Sequence, residues 1–185
     1  MLKVAITGNI ASGKSEVEKI ISDFYPVYDV DKIAHAILGN IDRKALGEKV
    51  FSDPKALKEL EDYIHPRVKE EILNIFNGVK TVRNKAGLVG NSTKNNIVFI
   101  SIPLLFETGF ESLFDKIVFL QCNDDLRLER LIARNNYTKE YAIKRMNSQL
   151  PQEDKIKKSD YVLDNNSTKE DLKQQVLELL KIIKP

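Results

Sequence analysis

The chain has 185 residues, 29 basic and 27 acidic side chains, a formal net charge of +2 and a single cysteine. Hydrophobic residues make up 42% and charged residues 30%, which suits one packed core with small insertions and no disulfides, and excludes a disordered tail, a collagen-like repeat or a stapled scaffold. The near balance of charge speaks against a dedicated nucleic-acid binder, and the lone Cys122 argues for a reducing compartment without a cysteine-based metal site.

Apolar runs at 3–7, 96–102, 116–121 and 161–163 read as strands, with 26–28 a weaker fifth. Their near-continuous apolarity is what strands buried on both faces show. Between them, helical patterns cover 14–24, 32–38, 54–63, 66–76, 124–134, 139–150 and 169–183. Strands alternating with helices predict a parallel sheet flanked by helices. Residues 30–95 hold helices and no convincing strand, so they read as an insertion; within it, the polar, glycine-dotted stretch 77–95 predicts an exposed loop. Residues 124–158 read as a charged helical pair closed near Pro151. No run approaches the roughly 20 apolar residues that span a bilayer. The apolar start, residues 1–7, stops at Gly8 with neither the length nor the cleavage site of a signal peptide. The expectation is a cytoplasmic protein with neither membrane nor nucleic-acid partner, and with oligomerisation left open.

The strongest motif is Gly8-Asn9-Ile10-Ala11-Ser12-Gly13-Lys14-Ser15, which fits G-x-x-x-x-G-K-[ST] after a strand and before a helix. Gly8 and Gly13 permit torsions that let successive N–H groups turn inward on one anion, and the helix adds its positive end. Lys14 would reach the terminal phosphates and the Ser15 hydroxyl would coordinate Mg²⁺. A guanine switch is disfavoured: the nearest approach to Asn-Lys-x-Asp is Asn84-Lys85-Ala86-Gly87, and no Asp is followed three positions later by Gly. A motor is disfavoured too, because the run 97–100 ends in Ser101-Ile102-Pro103 without an acid. A small-molecule kinase is left.

Asp29-Val30-Asp31 falls where the second strand should end, its two carboxylates on one side at strand spacing. In a doubly wound sheet the strand carboxyl ends line the ligand crevice, where a carboxylate can accept a proton from a hydroxyl and hold a magnesium-bound water. The plainer alternative is that Asp31 caps the helix starting at Lys32. Arg127, Arg130 and Arg134 share one helix face, suited to a charged triphosphate or simply to solvent. His65, before Pro66, reads as a residue between two helices that caps the second. Asp164-Asn165-Asn166-Ser167 reads as a turn, of which Asn166 is a candidate for the nucleotide side.

Taken together, the residues resemble the dephospho-coenzyme A kinase family along the whole chain. The resemblance is carried by residues 7–15, Asp29-Val30-Asp31, residues 41–46 with Val50-Phe51, residues 60–66 ending in His65-Pro66, residues 102–107 (Ile-Pro-Leu-Leu-Phe-Glu), Arg130 to Arg134, Gln149, and residues 159–166. It implies a five-stranded P-loop core (1–29, 96–123 and 159–185), an inserted helical substrate domain (30–95) and a helical lid (124–158). It implies ATP and Mg²⁺, with dephospho-coenzyme A phosphorylated on its ribose 3′-hydroxyl to give coenzyme A. By position, Asp31 would be the general base, and Lys14 and Ser15 the phosphate and magnesium residues with Asp31. Gly8, Asn9, Ile10, Ala11, Ser12, Gly13, Arg130, Arg134 and Asn166 would hold the nucleotide; Asp29, Asp31, His65, Pro103, Leu104, Leu105 and Glu107 would hold the acceptor. Three departures stand out: relatives carry a longer segment where Leu38-Gly39-Asn40 joins two parts, the loop 78–95 is longer and more polar than expected, and Ala11 replaces a common glycine. A kinase for another small hydroxyl or nucleoside monophosphate, and a non-catalytic nucleotide-binding module, are the alternatives.

Overall fold

The strands that the apolar runs predicted are β1 (Leu2–Thr7), β2 (Val27–Asp29), β4 (Ile97–Ser101), β5 (Lys116–Gln121) and β6 (Tyr161–Asp164), and a two-residue β3 (Leu88–Val89) joins them. In the computed structural model residues 1–39, 50, 53–89 and 96–184 are described; the quoted segment 41–46, Phe51 and loop residues 90–95 lie outside them. The sheet order is β3-β2-β4-β1-β5-β6. The pairs β1/β4, β1/β5 and β5/β6 are parallel, with Val4 opposite Phe99 and Lys116, and Leu120 opposite Leu163. The fold is therefore of the P-loop α/β class, with six strands among the described residues rather than five. The sixth was read as loop because two residues carry no periodicity.

The chain divides into two compact units, Met1–Tyr28 with Val89–Pro185, and Asp29–Leu88. In the first, Val4, Ile6, Phe99, Val118 and Leu120 form one face of the sheet. It is covered by Val17 and Ile21 of α1 (Lys14–Ser22) and by Leu172 and Val176 of α8 (Lys169–Ile182). The alternating residues Ala5, Val98, Ile100, Ile117 and Phe119 are buried as well, which is why these strands read as continuous apolar runs rather than alternating ones. The 124–158 stretch holds three helices, not two: α5 (Asp124–Asn135), α6 (Lys139–Asn147) and the short α7 (Gln152–Ile156).

The second unit is helical: α2 (Val30–Leu38), α3 (Pro54–Phe76) and α4 (Val82–Gly87). Three expectations fail here. Residues 54–63 and 66–76 are not two helices but the single 23-residue α3, with Pro66 inside it. A helix-interior proline costs roughly 3 kcal/mol, but Val68, Ile72 and Ile75 beyond it are buried, and each contributes roughly 1.5–3 kcal/mol. Burial wins, and the Arg67 guanidinium donates to the Tyr63 carbonyl (2.7 Å) in the turn that the proline disturbs. His65 is consequently a mid-helix residue, not a cap. The stretch expected to be loop contains α4, opened by a Thr81–Asn84 capping box. Its Thr81 hydroxyl donates to the buried Glu71 carboxylate, which also faces Arg83 at 3.6 Å. Finally, α2 begins at Val30, and its cap is Asp29, not Asp31: the Asp29 carboxylate accepts the Asp31 N–H at 2.9 Å. Asp31 sits in the first turn of the helix, so the two carboxylates do not share a strand face.

Among the described residues no helix is long and apolar enough to cross a membrane, and no cluster of three or more His, Cys, Asp or Glu side chains is placed to hold a metal ion.

Candidate active site

The turn from β1 to α1 has the backbone that its two glycines predict. Gly13 has φ +99°, and a Cβ there would lie 2.3 Å from the Asn165 amide nitrogen. A Cβ on Gly8 would lie 2.8 Å from the Leu120 carbonyl oxygen. Both positions are thus closed to side chains, one by torsion and a neighbouring amide, the other by backbone. Ala11 also occupies the left-handed region, at φ +63°, a strain of roughly 1–2 kcal/mol that glycine would not carry.

The loop is braced from three sides. Within it the Ser12 N–H donates to the Asn9 carbonyl (3.0 Å). From the turn after β6, the buried Asn165 donates from Nδ2 to the Ser12 carbonyl at 2.7 Å. From the helical segment after β5, the Gln149 Oε1 accepts the Ile10 N–H (2.6 Å), the Leu150 carbonyl accepts from Asn9 Nδ2 (3.1 Å), and Arg127 donates to the Ile10 carbonyl (3.3 Å). Four polar atoms around the loop are buried without a hydrogen-bond partner among the described residues: Thr7 Oγ1, Asn9 Oδ1, Ser12 Oγ and Arg127 Nε. Hydroxyls and a guanidinium N–H left unpaired are costly in a dry interior and suit an anion that would accept from them. The residues present therefore fit the phosphates of a nucleotide.

The three arginines part company. Arg127 is 3% exposed, bound to the loop and to Asp124 (2.7 Å). Arg130 donates towards Cys122 Sγ (3.3 Å) and the Asn165 carbonyl (3.4 Å). Arg134 is exposed on the last turn of α5 and donates to its neighbour Asn135 (2.9 Å). The resemblance named Arg130 and Arg134 for the nucleotide; of the three arginines on the predicted face, Arg127 is the one that hydrogen-bonds to the loop. Likewise Asn166 was the candidate of its turn, but it binds Asp164 and accepts the Asn123 N–H, while Asn165 reaches the loop. Tandem asparagines look alike in sequence, and only the direction in which the turn leaves β6 separates them. Burial raises the Cys122 thiol above its ordinary value, Arg130 and Arg127 only partly opposing it, which favours the thiol over the reactive thiolate.

Of the 103–107 segment, Leu105 is fully buried and Leu104 is 42% exposed, with Pro103 half-buried. Glu107 is engaged by Lys155 (2.6 Å) and by the Leu150 N–H (3.1 Å). A further carboxylate that sequence reasoning missed is Glu18, buried on α1, whose Oε1 accepts from Ser101 Oγ (2.5 Å) at the carboxyl end of β4. In the other unit, Asp29 caps α2 with one oxygen while its second lies 3.9 Å from Lys32 Nζ; Asp31 is exposed and His65 half-buried.

A family model described as dephospho-CoA kinase matches residues 36–171. A dephospho-CoA kinase of Geobacillus kaustophilus is 35% identical over 203 aligned positions, covering 97% of this chain and 96% of that protein. Among solved structures, TT1252 from Thermus thermophilus aligns over 100% of this chain and 98% of its own at 31% identity, with a TM-score of 0.79. The dephospho-CoA kinase from Campylobacter jejuni aligns over 97% and 95% at 28% identity, with a TM-score of 0.66.

Proposed function

The chain belongs to the dephospho-CoA kinase family, and on that premise we propose how its residues divide the work of moving a phosphoryl group from ATP to dephospho-coenzyme A. The enzyme is a phosphotransferase with an alcohol acceptor, the ribose 3′-hydroxyl, and its product is coenzyme A. The observation that carries the assignment of roles is the braced loop with its buried, unpaired donors.

The N–H groups at the start of α1 and the Lys14 ammonium bind the β- and γ-phosphates. The buried Arg127 fixes the loop and points a spare N–H at the same charge. Arg130 and Arg134 on α5 would approach the transferring group from the lid side, stabilising negative charge and excluding water that would otherwise hydrolyse ATP. Ser15 would hold Mg²⁺, which when bound would neutralise charge on the phosphates. Asp31 accepts the proton of the 3′-hydroxyl as the oxygen attacks phosphorus. That role is supported by its place in the first turn of α2, directly after β2, and by the resemblance noted in the sequence. For the acceptor, the resemblance names Asp29 and His65, and separately the 103–107 segment, of which Leu104 and Pro103 are the members open to a ligand.

The direct test is ADP release from the purified protein with Mg·ATP, with and without dephospho-coenzyme A. Release that depends on the acceptor, with coenzyme A appearing by mass, is expected; acceptor-independent release, or none, refutes the reaction. For the base, Asp31→Asn is expected to lower kcat by about 10²–10⁴ with the KM for ATP within about threefold. A turnover within a few-fold of wild type removes Asp31 from that role.

A further inference from the structure

Lys155 is the one fully buried lysine among the described residues, 1% exposed on the short helix α7. Burial pushes its ammonium below the ordinary lysine range; the Glu107 carboxylate opposes this, while Arg127 and Lys14 push it down further. A cation kept in a dry site beside two others is a poor stability device, since an apolar pair of similar volume often does as well. The surrounding hydrogen bonds show another use.

Lys155 Nζ lies 2.6 Å from Glu107 Oε1, and that same oxygen accepts the Leu150 N–H at 3.1 Å. The Leu150 carbonyl in turn accepts from Asn9 Nδ2, and the adjacent Gln149 side chain accepts the Ile10 N–H. The series runs unbroken from α7 through Glu107 and residues 149–150 to the two loop residues preceding the strained Ala11. We propose that Lys155 is a positioning residue for nucleotide binding. By holding Glu107 it anchors the 149–150 turn, and that turn sets the conformation of the phosphate loop before the phosphates arrive. A loop held ready loses less freedom on binding, so the relay acts on nucleotide affinity. Neither Lys155 nor Gln149 touches the reacting atoms.

The inference rests on the kinase reading above, and its test separates the two. Mg·ADP binding is measured by calorimetry without acceptor, alongside melting temperature, for wild type, Lys155→Arg, Gln149→Ala and Lys155→Met/Glu107→Leu. The double substitution removes both charges, so neither is stranded. It is expected to melt within about 3 °C of wild type yet bind Mg·ADP about tenfold more weakly, while Lys155→Arg stays within threefold. Gln149→Ala, which cuts a later link in a half-buried side chain, is expected to cost a similar factor. Adding it to the double substitution weakens binding by no more than another threefold, because both act through one turn. Wild-type affinity in the double variant overturns the proposal, and so do two factors that multiply to about a hundredfold. If the double variant does not fold, Gln149→Ala decides alone: unchanged affinity refutes the relay, tenfold loss supports it. A wild type that binds no Mg·ADP would instead remove the kinase reading itself.

Discussion

Gly13→Ala is the substitution whose cost can be worked most fully. The new Cβ would sit 2.3 Å from Asn165 Nδ2 and 3.5 Å from its Cγ, so the amide must leave. It is 7% exposed and holds the Ser12 carbonyl at 2.7 Å; losing a buried hydrogen bond of this kind costs roughly 1–3 kcal/mol. The torsion of +99° adds roughly 1–2 kcal/mol for an L-residue in left-handed backbone. Against these, alanine stiffens the unfolded chain, worth about 0.4–1 kcal/mol. The balance is a destabilisation of roughly 1–4.6 kcal/mol, or about 2–18 °C in melting temperature for a domain of this size. Mg·ATP binding should fall with it, because the carbonyl released is part of the phosphate loop. The clash and the strain can be told apart. Asn165→Ala alone loses the hydrogen bond, and Gly13→Ala made on that background meets no amide. The double variant is therefore expected to be more stable than the two single losses added together, by about 1–3 kcal/mol. Thermal melts of the four proteins decide it. A Gly13→Ala protein melting within 2 °C of wild type, or strictly additive losses, would refute the close approach described here.

Three other substitutions follow from the packing. Gly87→Ala places a Cβ 2.5 Å from Ile33 Cγ1 and 3.1 Å from the Asp29 carbonyl oxygen, an overpacking of about 1–3 kcal/mol; pairing it with Ile33→Ala should restore part of the loss in urea unfolding, and no restoration refutes the contact. Pro66→Ala returns an N–H to the interior of α3 and should raise the melting temperature, by up to about 3 kcal/mol of helix stability, while raising the KM for dephospho-coenzyme A if the proline shapes the acceptor site; a lower melting temperature contradicts the helix described. Asp160 gives a pH signature. Burial works against its ionisation, but Lys116 Nζ and the Ile117 N–H, each at 2.8 Å, hold its carboxyl below the ordinary carboxylate range. Its contribution is then complete above about pH 3.9 and is lost as the pH falls through the lower folded value. The urea midpoints of wild type and Asp160→Asn should accordingly differ at pH 7 and converge on the acid side; a constant gap from pH 7 to 2.5 would exclude a shifted carboxyl.

What could be read in the sequence, and what could not, divides by how far apart the determining atoms are. The phosphate loop is dictated by neighbours: two glycines, a lysine and a serine between a strand and a helix fix its torsions, so the motif was enough. The strands of the core were legible because both faces are buried, and Val4, Ala5 and Ile6 are apolar together. Pro66 misled because the local penalty is real, and only burial of Val68, Ile72 and Ile75 further along the helix overrides it. α4 and β3 were hidden for a related reason: Val82 is 85% exposed, so the helix carries no apolar stripe, and it is held instead by Thr81 and Arg83 on the buried Glu71. Within the site the same rule sorts the arginines. The spacing put Arg127, Arg130 and Arg134 on one helix face, but a helix face has two ends. The end beside the loop belongs to Arg127, in the first turn, whereas Arg134, two turns further on, finds only Asn135. Asn165 and Lys155 were illegible for the strongest form of this reason, since Asn165 binds a residue 153 positions away and Lys155, on α7, pairs with the carboxylate of Glu107, far off in the chain. The chemistry-bearing residues announce themselves by motif; the residues that hold them in place lie far off in the chain, and only the fold brings them there.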